Sequence, residues 1–138
     1  MKTKQIAIYG AGGFGREVAW LAESCGKQYE VVCFIDDAPE RIRKSQNGLE
    51  VIDFEEFKQK FDSISIVAAI GSPLVRESVI KKLETAGFKS ESLIHPKTEM
   101  SQWVEIGDGV VICSGSILTT NIKIGKQVQI NLGCTIGH

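Results

Sequence analysis

The sequence predicts an α/β fold in two parts, a small N-terminal domain built on a parallel sheet and then the start of a parallel β-helix. Short apolar strands alternate with helical segments over about the first 95 residues, as in parallel sheets covered by helices. Beyond that point, aliphatic residues recur every six positions, and short fixed repeats are typical of solenoids. We therefore divide the chain into residues 1–95 and residues 96–138.

The N-terminal domain is expected to contain buried strands at residues 5–9, 30–35, 63–70 and 90–94. Helices are expected between them at residues 16–24, 54–61 and 74–86. Gly26 and Gly87 come just after the first and third helices, where glycine commonly ends a helix. The polar segment 39–48 is expected to be a surface loop. His95 precedes Pro96, which disfavours helix before it, and this pair marks the domain boundary.

The C-terminal part is defined by one aliphatic residue in every six. The set is Ile94, Met100, Ile106, Ile112, Leu118, Ile124, Ile130 and Ile136. Three steps make one triangular coil of about 18 residues, whose aliphatic side chains point inward. The last residue, His138, falls within a coil and no polar cap precedes it. Because a stack of coils normally ends in a cap, we expect a piece of a longer protein with a frayed C-terminal end.

Composition and charge are those of an ordinary soluble protein. Apolar residues make up 43% of the 138 residues and the net charge is −1, which gives no indication of a nucleic-acid or membrane partner. The four cysteines form no CxxC pair and lie in apolar patterns, so buried free thiols in a reducing compartment are expected. A signal peptide, a membrane span and a metal cluster are not indicated, and the expected location is the cytoplasm.

A glycine-rich turn follows the first expected strand. Gly10, Gly12 and Gly15 form a GxGxxG pattern between a strand and a helix, and Asp36 ends the second strand. Glycines let the backbone approach a phosphate, a helix N-terminus attracts an anion, and a carboxylate at the sheet edge can accept hydrogen bonds from a ribose or base. We favour nucleotide or nucleotide-sugar binding in a Rossmann-like domain. The alternative is that the glycines only allow close packing of the helix on the sheet.

Gly71 and Ser72 follow the third strand and are expected to line the same crevice, because ligands bind at the carboxyl ends of parallel strands. The glycine pattern alone does not distinguish a dinucleotide from a nucleotide-sugar. The expected sheet is about half the size of a full dinucleotide-binding sheet, and this favours the smaller ligand.

The two histidines and one asparagine are the remaining candidates. His138 lies two positions after the inward Ile136, near a corner of the coil, and histidine is the usual general base near neutral pH. Taken alone, a terminal histidine is more often a solvated surface group. His95 is expected to be structural. Asn131 follows the inward Ile130 and is either a turn residue or a ligand contact.

The motifs, taken in their order, resemble one known family. The segments YGAGGFGREVA, FIDD, AAIGSPLVR, LIHP and INLGCTIGH, together with the six-residue repeats, are similar to those of bacterial sugar O- and N-acyltransferases. They resemble in particular the left-handed β-helix acetyltransferases that modify sialic acid or UDP-4-amino-sugars. The resemblance implies a nucleotide-sugar-binding domain fused to an acetyltransferase domain. It also implies a homotrimer, with acetyl-CoA bound along the β-helix between two subunits.

The resemblance further implies a set of substrate contacts: Gly12, Gly13, Phe14, Asp36, Asp37, Gly71, Ser72 and Asn131. These match, in order, the turn that contacts the nucleotide-sugar, the acidic pair that reads its uridine part, the second loop of that site and a position that holds the acceptor. His138 matches the family's general base. Phe14 and the Ser72–Pro73 pair depart from more polar residues in the family, so the identity of the nucleotide-sugar stays open.

The reaction implied by the resemblance is direct acyl transfer without a metal, in which His138 deprotonates an acceptor amine or hydroxyl as it attacks the thioester of acetyl-CoA. Cys134 is expected to be buried and is not a candidate nucleophile. Little activity is expected from residues 1–138 alone, because most of the acetyl-CoA groove would be absent. Two alternatives stay open, an NAD-type dinucleotide-binding module and a non-catalytic trimerisation scaffold.

Overall fold

The computed structural model describes residues 2–138 and contains a five-stranded sheet, three α-helices and a three-sided coil of short strands. The elements before the coil are β1 (Lys4–Tyr9), α1 (Gly13–Ser24), β2 (Tyr29–Ile35), β3 (Ser45–Gln46), β4 (Leu49–Ile52), α2 (Phe54–Lys60), β5 (Ser65–Ala68) and α3 (Pro73–Thr85). The coil consists of β6 (Leu93–Ile94), β7 (Glu99–Met100), β8 (Val104–Ile106), β9 (Val111–Ile112), β10 (Ile117–Leu118), β11 (Ile122–Ile124), β12 (Gln129–Ile130) and β13 (Thr135–Ile136).

The sheet has the strand order β3-β4-β2-β1-β5, and all its pairs are parallel except β3 with β4. Strand residues alternate between two apolar layers, because successive side chains point to opposite faces. Ile6 and Ile8 pack beneath α1, whereas Ala7 and Tyr9 pack beneath α2 and α3. The predicted α/β class with a parallel sheet covered by helices is therefore confirmed.

The sheet differs from the prediction at its edges. The fourth parallel strand is β4, which directly follows the polar segment 39–48 and is only four residues long. Residues 90–94, predicted as a sheet strand, make one isolated bridge from Ser90 to Ile66 and then join the coil as β6. The prediction was wrong there because a short apolar run has no period that assigns it to one of two neighbouring sheets.

The coil has the predicted 18-residue turn. Its three faces are β6-β9-β12, β7-β10-β13 and β8-β11, and every pair is parallel. Ile94 pairs with Ile112, and Ile112 pairs with Ile130, so residues 18 apart stack on one another. The aliphatic residues of the repeat form one core inside the coil. Cys134 is half-buried rather than buried, which corrects the prediction for that thiol.

A second six-residue period becomes visible in the backbone of the coil. Left-handed conformations, with φ between 57° and 79°, recur at Gly109, Gly115, Asn121, Gln127 and Gly133. Each lies in a corner between two strands, where the chain must turn sharply. Glycine has no steric cost in this conformation, and asparagine tolerates it better than most residues. Gln127 is held there by its side chain, whose Nε2 donates to Ser90 Oγ over 2.8 Å.

One face of the coil packs against the sheet domain. Leu93 and Val111 are fully buried in the same apolar cluster as Ile6 of β1 and Val18 of α1. At a neighbouring corner the rings of Trp20 and His95 lie 6.3 Å apart, as measured between centroids. The division of the chain at residues 95 and 96 stays a prediction, and this shared core shows that the two parts pack closely.

Candidate functional site

A cleft of about 370 Å³ opens where β1, β2 and β5 end and α1 begins. It is lined by Tyr9, Gly10, Gly12, Gly13, Phe14, Asp36, Asp37, Arg41, Ala69, Ile70, Gly71 and Val75. Six of the eight substrate contacts predicted from the sequence lie in this lining. The carboxyl edge of a parallel sheet is the usual ligand site of such folds, and the cleft has the size of a small-molecule pocket.

Two of the three glycines in the GxGxxG turn are required for packing. Gly10 has φ +117°, and a Cβ there would lie 2.5 Å from the Ala69 carbonyl oxygen. A Cβ on Gly15 would overlap the carbonyl oxygen of Gly10. These two residues therefore allow α1 to sit against the sheet. A Cβ on Gly12 would meet only the Arg41 guanidinium, at 3.5 Å, so packing does not require a glycine at this position.

The start of α1 leaves backbone N–H groups facing the cleft. Gly12 is the N-cap residue, it provides no side-chain cap, and the first helical turn contains no acidic residue. Gly13 is exposed, whereas Phe14 packs against the apolar cluster beneath α1. An uncapped helix N-terminus is electrostatically suited to an anion such as a phosphate.

Asp36 is committed to holding the turn. Its Oδ2 accepts hydrogen bonds from Ala11 N at 2.8 Å and Arg41 Nη1 at 3.2 Å, and its Oδ1 accepts from Ala38 N at 2.8 Å. Burial alone would raise the pKa of Asp36, but the Ala38 and Ala11 N–H groups and the Arg41 guanidinium lower it below its ordinary value. The buried carboxylate therefore fixes the glycine turn and the segment after β2 in one geometry.

Asp37 is the accessible member of the acidic pair. Its Oδ1 accepts from the Tyr9 hydroxyl at 2.7 Å and from Lys82 Nζ at 3.4 Å, while its side chain stays 60% exposed. Lys82 also donates to the Tyr9 hydroxyl and lies 5.0 Å from the centre of its ring. Burial, then the hydrogen bond to Asp37, raise the pKa of Tyr9, so the phenol stays a donor. This arrangement leaves Asp37 Oδ2 available to a ligand.

The loop after β5 forms the opposite wall of the cleft. Gly71 lines it, as predicted. The Ser72 hydroxyl instead accepts a hydrogen bond from Val75 N at 3.3 Å and caps α3, so its predicted role as a substrate contact stays a prediction. Arg76 Nη1 donates to the carbonyl oxygen of Ile70 at 2.7 Å and holds the loop.

The two candidate site residues of the coil, Asn131 and His138, lie outside the cleft. Asn131 follows β12, and its Oδ1 accepts from Leu132 N at 2.8 Å in a corner of the coil. His138 is exposed and follows β13, at the next corner of the coil. One coil face separates the two residues. The structure therefore does not bring the predicted base and the predicted acceptor contact together within one chain.

Residues 5–83, more than half of the chain, match the family model of the PglD N-terminal domain. The chain belongs to the PglD N-terminal domain family. The predicted resemblance to bacterial sugar acyltransferases is thereby confirmed, since the relatives of this chain are sugar N-acetyltransferases.

Several relatives match nearly the whole chain. A GDP-perosamine N-acetyltransferase from Escherichia coli O157:H7 is 28% identical over 137 residues, 95% of this chain and 61% of that protein. The acetyltransferase domain of PglB from Neisseria gonorrhoeae FA1090, solved with acetyl coenzyme A, is 30% identical with a TM-score of 0.85, over 99% of this chain and 65% of that one. PerB from Caulobacter crescentus, solved with CoA and GDP-perosamine, is 26% identical with a TM-score of 0.85, over 97% and 63%. The chain thus spans less than two thirds of the length of each relative.

Sequence reasoning missed two polar residues that line this PglD-type cleft, Tyr9 and Arg41, and also Lys82, which donates to Tyr9 from α3. Tyr9 ends an apolar strand, Arg41 lies in a charged loop and Lys82 lies on a helix rich in charge, so each has an ordinary explanation in the sequence. Within residues 2–138, no group of three or more metal-ligating side chains is found, and no helix is both long and apolar enough to cross a membrane.

We expect the Asp36→Asn variant to destabilise this PglD-type domain by about 2–3 kcal/mol, because an amide cannot accept from three donors and would place its NH₂ against one of them. Asp37→Asn is the matched control, since its half-exposed carboxylate should contribute less than about 1 kcal/mol. Urea unfolding measures both. Equal effects of the two substitutions would contradict the structural role of Asp36.

The same carboxylate predicts a pH dependence. Since folding lowers the pKa of Asp36, its contribution to stability is fully present above the ordinary value of 3.8 and is lost as the pH falls through the lower folded pKa. Unfolding measured between about pH 2 and 5 should therefore show an acid-dependent loss of stability that is smaller in Asp36→Asn than in the wild type. An unchanged acid profile in the variant would count against this assignment.

Proposed function

We propose that the protein is an acetyl-CoA-dependent N-acetyltransferase of a nucleotide-sugar in bacterial glycan biosynthesis. The observation that supports this most strongly is the cleft, an open site at the sheet edge with an uncapped helix N-terminus, in a chain that matches such enzymes over nearly its whole length. The relatives from Escherichia coli and Caulobacter crescentus carry the amino-sugar GDP-perosamine in their names, which favours an amine over a hydroxyl as acceptor. The particular sugar stays open.

The cationic groups of the cleft fit the diphosphate of a nucleotide-sugar. Arg41 and Lys82 place two cations at its edges, and the start of α1 adds the positive end of a helix dipole. Gly12 and Gly13 offer backbone N–H groups without side chains in the way. Asp37 keeps one free carboxylate oxygen, which can accept an N–H of a base or an O–H of a ribose.

Helix α1 lies beside the coil, and the rise of one helical turn is close to the spacing between two stacked layers of the coil. Trp20 lies against His95, and one helical turn earlier Glu17 is close enough to Cys113 to help raise the pKa of that buried thiol, burial being the larger cause. Cys113 is one coil layer beyond His95, and Asn131 is one layer further. A helix rises about 5.4 Å per turn and neighbouring strands are about 4.8 Å apart. Continued at this step, the first turn of α1 would be level with Asn131, and on this ground we propose that Asn131 contacts the sugar.

The proposed chemistry is a single acyl transfer. The amine nitrogen attacks the thioester carbonyl of acetyl-CoA, His138 takes the proton from that nitrogen, the C–S bond breaks, and His138 returns the proton to the CoA thiolate, which leaves as the thiol. Acetyl-CoA is a co-substrate. In the proposed homotrimer, His138 would act on a sugar held in the cleft of a neighbouring subunit, because His138 and Asn131 of one chain lie at different corners of the coil. We place this reaction in the cytoplasm.

Ligand-dependent melting tests the proposal. We expect GDP-perosamine or a UDP-4-amino-sugar to raise the melting temperature by several degrees, since a ligand at 100 times its Kd adds about 2.7 kcal/mol. CMP-sialic acid, free sialic acid and acetyl-CoA complete the set, and NAD distinguishes the dinucleotide alternative. A shift with NAD and with none of the sugars would contradict the proposal.

The Asp37→Asn variant connects the melting experiment to the cleft. It should reduce the shift produced by a nucleotide-sugar while leaving the melting temperature of the free protein within about 2 °C, because the exposed carboxylate contributes little to folding. An undiminished shift in Asp37→Asn would show that the nucleotide-sugar binds without this carboxylate.

A further inference from the structure

Helix α3 contacts the coil through a bridge of one arginine and one glutamine. Arg76 Nη1 donates to the Ile70 carbonyl oxygen at 2.7 Å and to Gln129 Oε1 at 3.0 Å. Gln129 Nε2 donates in turn to the Ala68 carbonyl oxygen at 3.0 Å. The bridge thus joins α3, the end of β5 and the loop after it to strand β12 of the coil.

Gln129 is the polar residue in a stack of coil residues whose other two members pack against the sheet domain. Leu93, Val111 and Gln129 stack in register on one coil face, one residue per layer. The first two are apolar and fully buried against the sheet domain. Apolar burial is non-directional, whereas hydrogen bonds require particular distances and angles. The third layer therefore adds directional contacts between the coil and the sheet domain.

The bridge ends on the wall of the cleft. We use "cleft wall" for residues 69–71, all of which line the cleft. Arg76 binds the wall at Ile70, and Gln129 binds Ala68, directly before it. The wall is further held by the Ala69 N–H, which donates to the Tyr9 carbonyl oxygen at 2.8 Å. A displacement of the bridge would move the cleft wall relative to the third layer of the coil.

We propose that Arg76 and Gln129 are positioning residues that hold the cleft wall in register with the third layer of the coil. The inference rests on the proposed function, because it concerns where a nucleotide-sugar bound in the cleft lies relative to the coil. Neither residue needs to touch the reacting atoms. Their effect is on the placement of the sugar end of the ligand, and acetyl-CoA binding does not depend on them.

Two substitutions test the bridge from its two ends. Arg76→Met removes the guanidinium and keeps a long apolar side chain, and Gln129→Leu extends the apolar ladder of Leu93 and Val111, so that variant is expected to fold. Lys81→Met is the matched control, because Lys81 is an exposed cation on the same helix whose partner is Glu77. GDP-perosamine and a UDP-4-amino-sugar are titrated calorimetrically, and amide exchange is followed at Ala69.

We expect Arg76→Met and Gln129→Leu each to weaken nucleotide-sugar binding about tenfold, because the cleft wall loses a hydrogen bond of the bridge and must be ordered when the ligand binds. The double variant should lose less than the product of the two single losses, because both act through one bridge. Exchange at the Ala69 amide should become faster in both variants, whereas exchange at Leu93, whose N–H donates to the Val110 carbonyl oxygen, should not change. The Lys81→Met variant should bind both nucleotide-sugars as tightly as the wild type and show the wild-type exchange at Ala69.

The possible failures are distinguishable. If the wild type binds neither nucleotide-sugar, the proposed function fails, and the positioning role fails with it because there is no ligand to place. If the wild type binds a nucleotide-sugar and both bridge variants bind it as tightly as the wild type does, the positioning role alone is overturned. The positioning role is also overturned if the bridge variants melt at a lower temperature but keep the wild-type affinity and the wild-type exchange at Ala69. That result would show that the bridge only stabilises the fold.

Discussion

The Gly15→Ala variant is expected to lose at least about 3 kcal/mol of folding stability, which corresponds to a drop of roughly 10 °C or more in melting temperature. Its Cβ would overlap the carbonyl oxygen of Gly10. A flexible side chain could move away, but a backbone carbonyl in a turn can do so only if the turn or α1 shifts. Gly10 N donates to the Ile35 carbonyl oxygen at 2.7 Å, so a shifted turn would also lose its attachment to β2.

Gly13→Ala is the matched control, two residues earlier in the same helix. A Cβ on Gly13 would meet only the end of the Arg16 side chain, at 3.8 Å, and α1 begins at this residue. Alanine is favoured over glycine in a helix by about 1 kcal/mol at interior positions and by less at the first turn. The Gly13→Ala variant should therefore melt at or slightly above the wild-type temperature. Circular dichroism of the three proteins measures the difference.

The Gly15→Ala and Gly13→Ala variants also distinguish the two interpretations of the GxGxxG turn, which are ligand binding and close packing of the helix on the sheet. Gly15→Ala should abolish nucleotide-sugar binding by distorting the fold, whereas Gly13→Ala should weaken binding without a loss of stability if the start of α1 contacts the ligand. A Gly15→Ala protein that melts within about 2 °C of the wild type would contradict the close approach of α1 to the sheet. Unchanged binding by Gly13→Ala would indicate that the ligand does not contact that backbone.

The parts of the fold that the sequence predicted correctly are those with a repeated signal. The aliphatic residue in every sixth position determines both the inward face and the pairing of Ile94 with Ile112 and Ile130. The left-handed corners follow the same period, but Asn121 and Gln127 interrupt the glycines that would have made it visible. Strand β4 is too short to show a period, and glycines do not mark both of its ends. It can be recognised as a strand only from its pairing with β2.

The candidate site was predicted where main-chain geometry requires a particular residue type, and was missed where side chains meet over long distances in sequence. Gly10 and Gly15 are visible because no larger residue fits. Lys82 reaches Tyr9 from 73 residues away, and Gln129 reaches Ala68 from 61 residues away. Such pairs carry no local pattern. Asp36 lies in the cleft lining and its role as a substrate contact stays a prediction, whereas the three donors that occupy its carboxylate could only be identified in the folded chain.

The His138→Ala variant is expected to reduce acetyl transfer by about 10²–10⁴-fold, the usual contribution of a general base. The reason is that the ammonium formed when the amine attacks the thioester must lose a proton before CoA can leave productively. The KM for nucleotide-sugar and acetyl-CoA should change little, because His138 is exposed at a coil corner and lies outside the cleft lining. The assay requires a length of the protein with measurable turnover, since this chain spans less than two thirds of its relatives.

The other histidine provides the control for this experiment. His95 is buried, its Nδ1 accepts from Lys97 N at 3.0 Å, and its ring lies beside Trp20. His95→Gln should lower the melting temperature and leave kcat of the folded protein within about twofold, which is the reverse of the pattern expected for His138→Ala. If His138→Ala retains the wild-type rate while nucleotide-sugar and acetyl-CoA still bind, then His138 is not the base. A protein that binds neither substrate, with or without His138, would instead support the scaffold alternative, because a structural coil needs no titratable group at its corner.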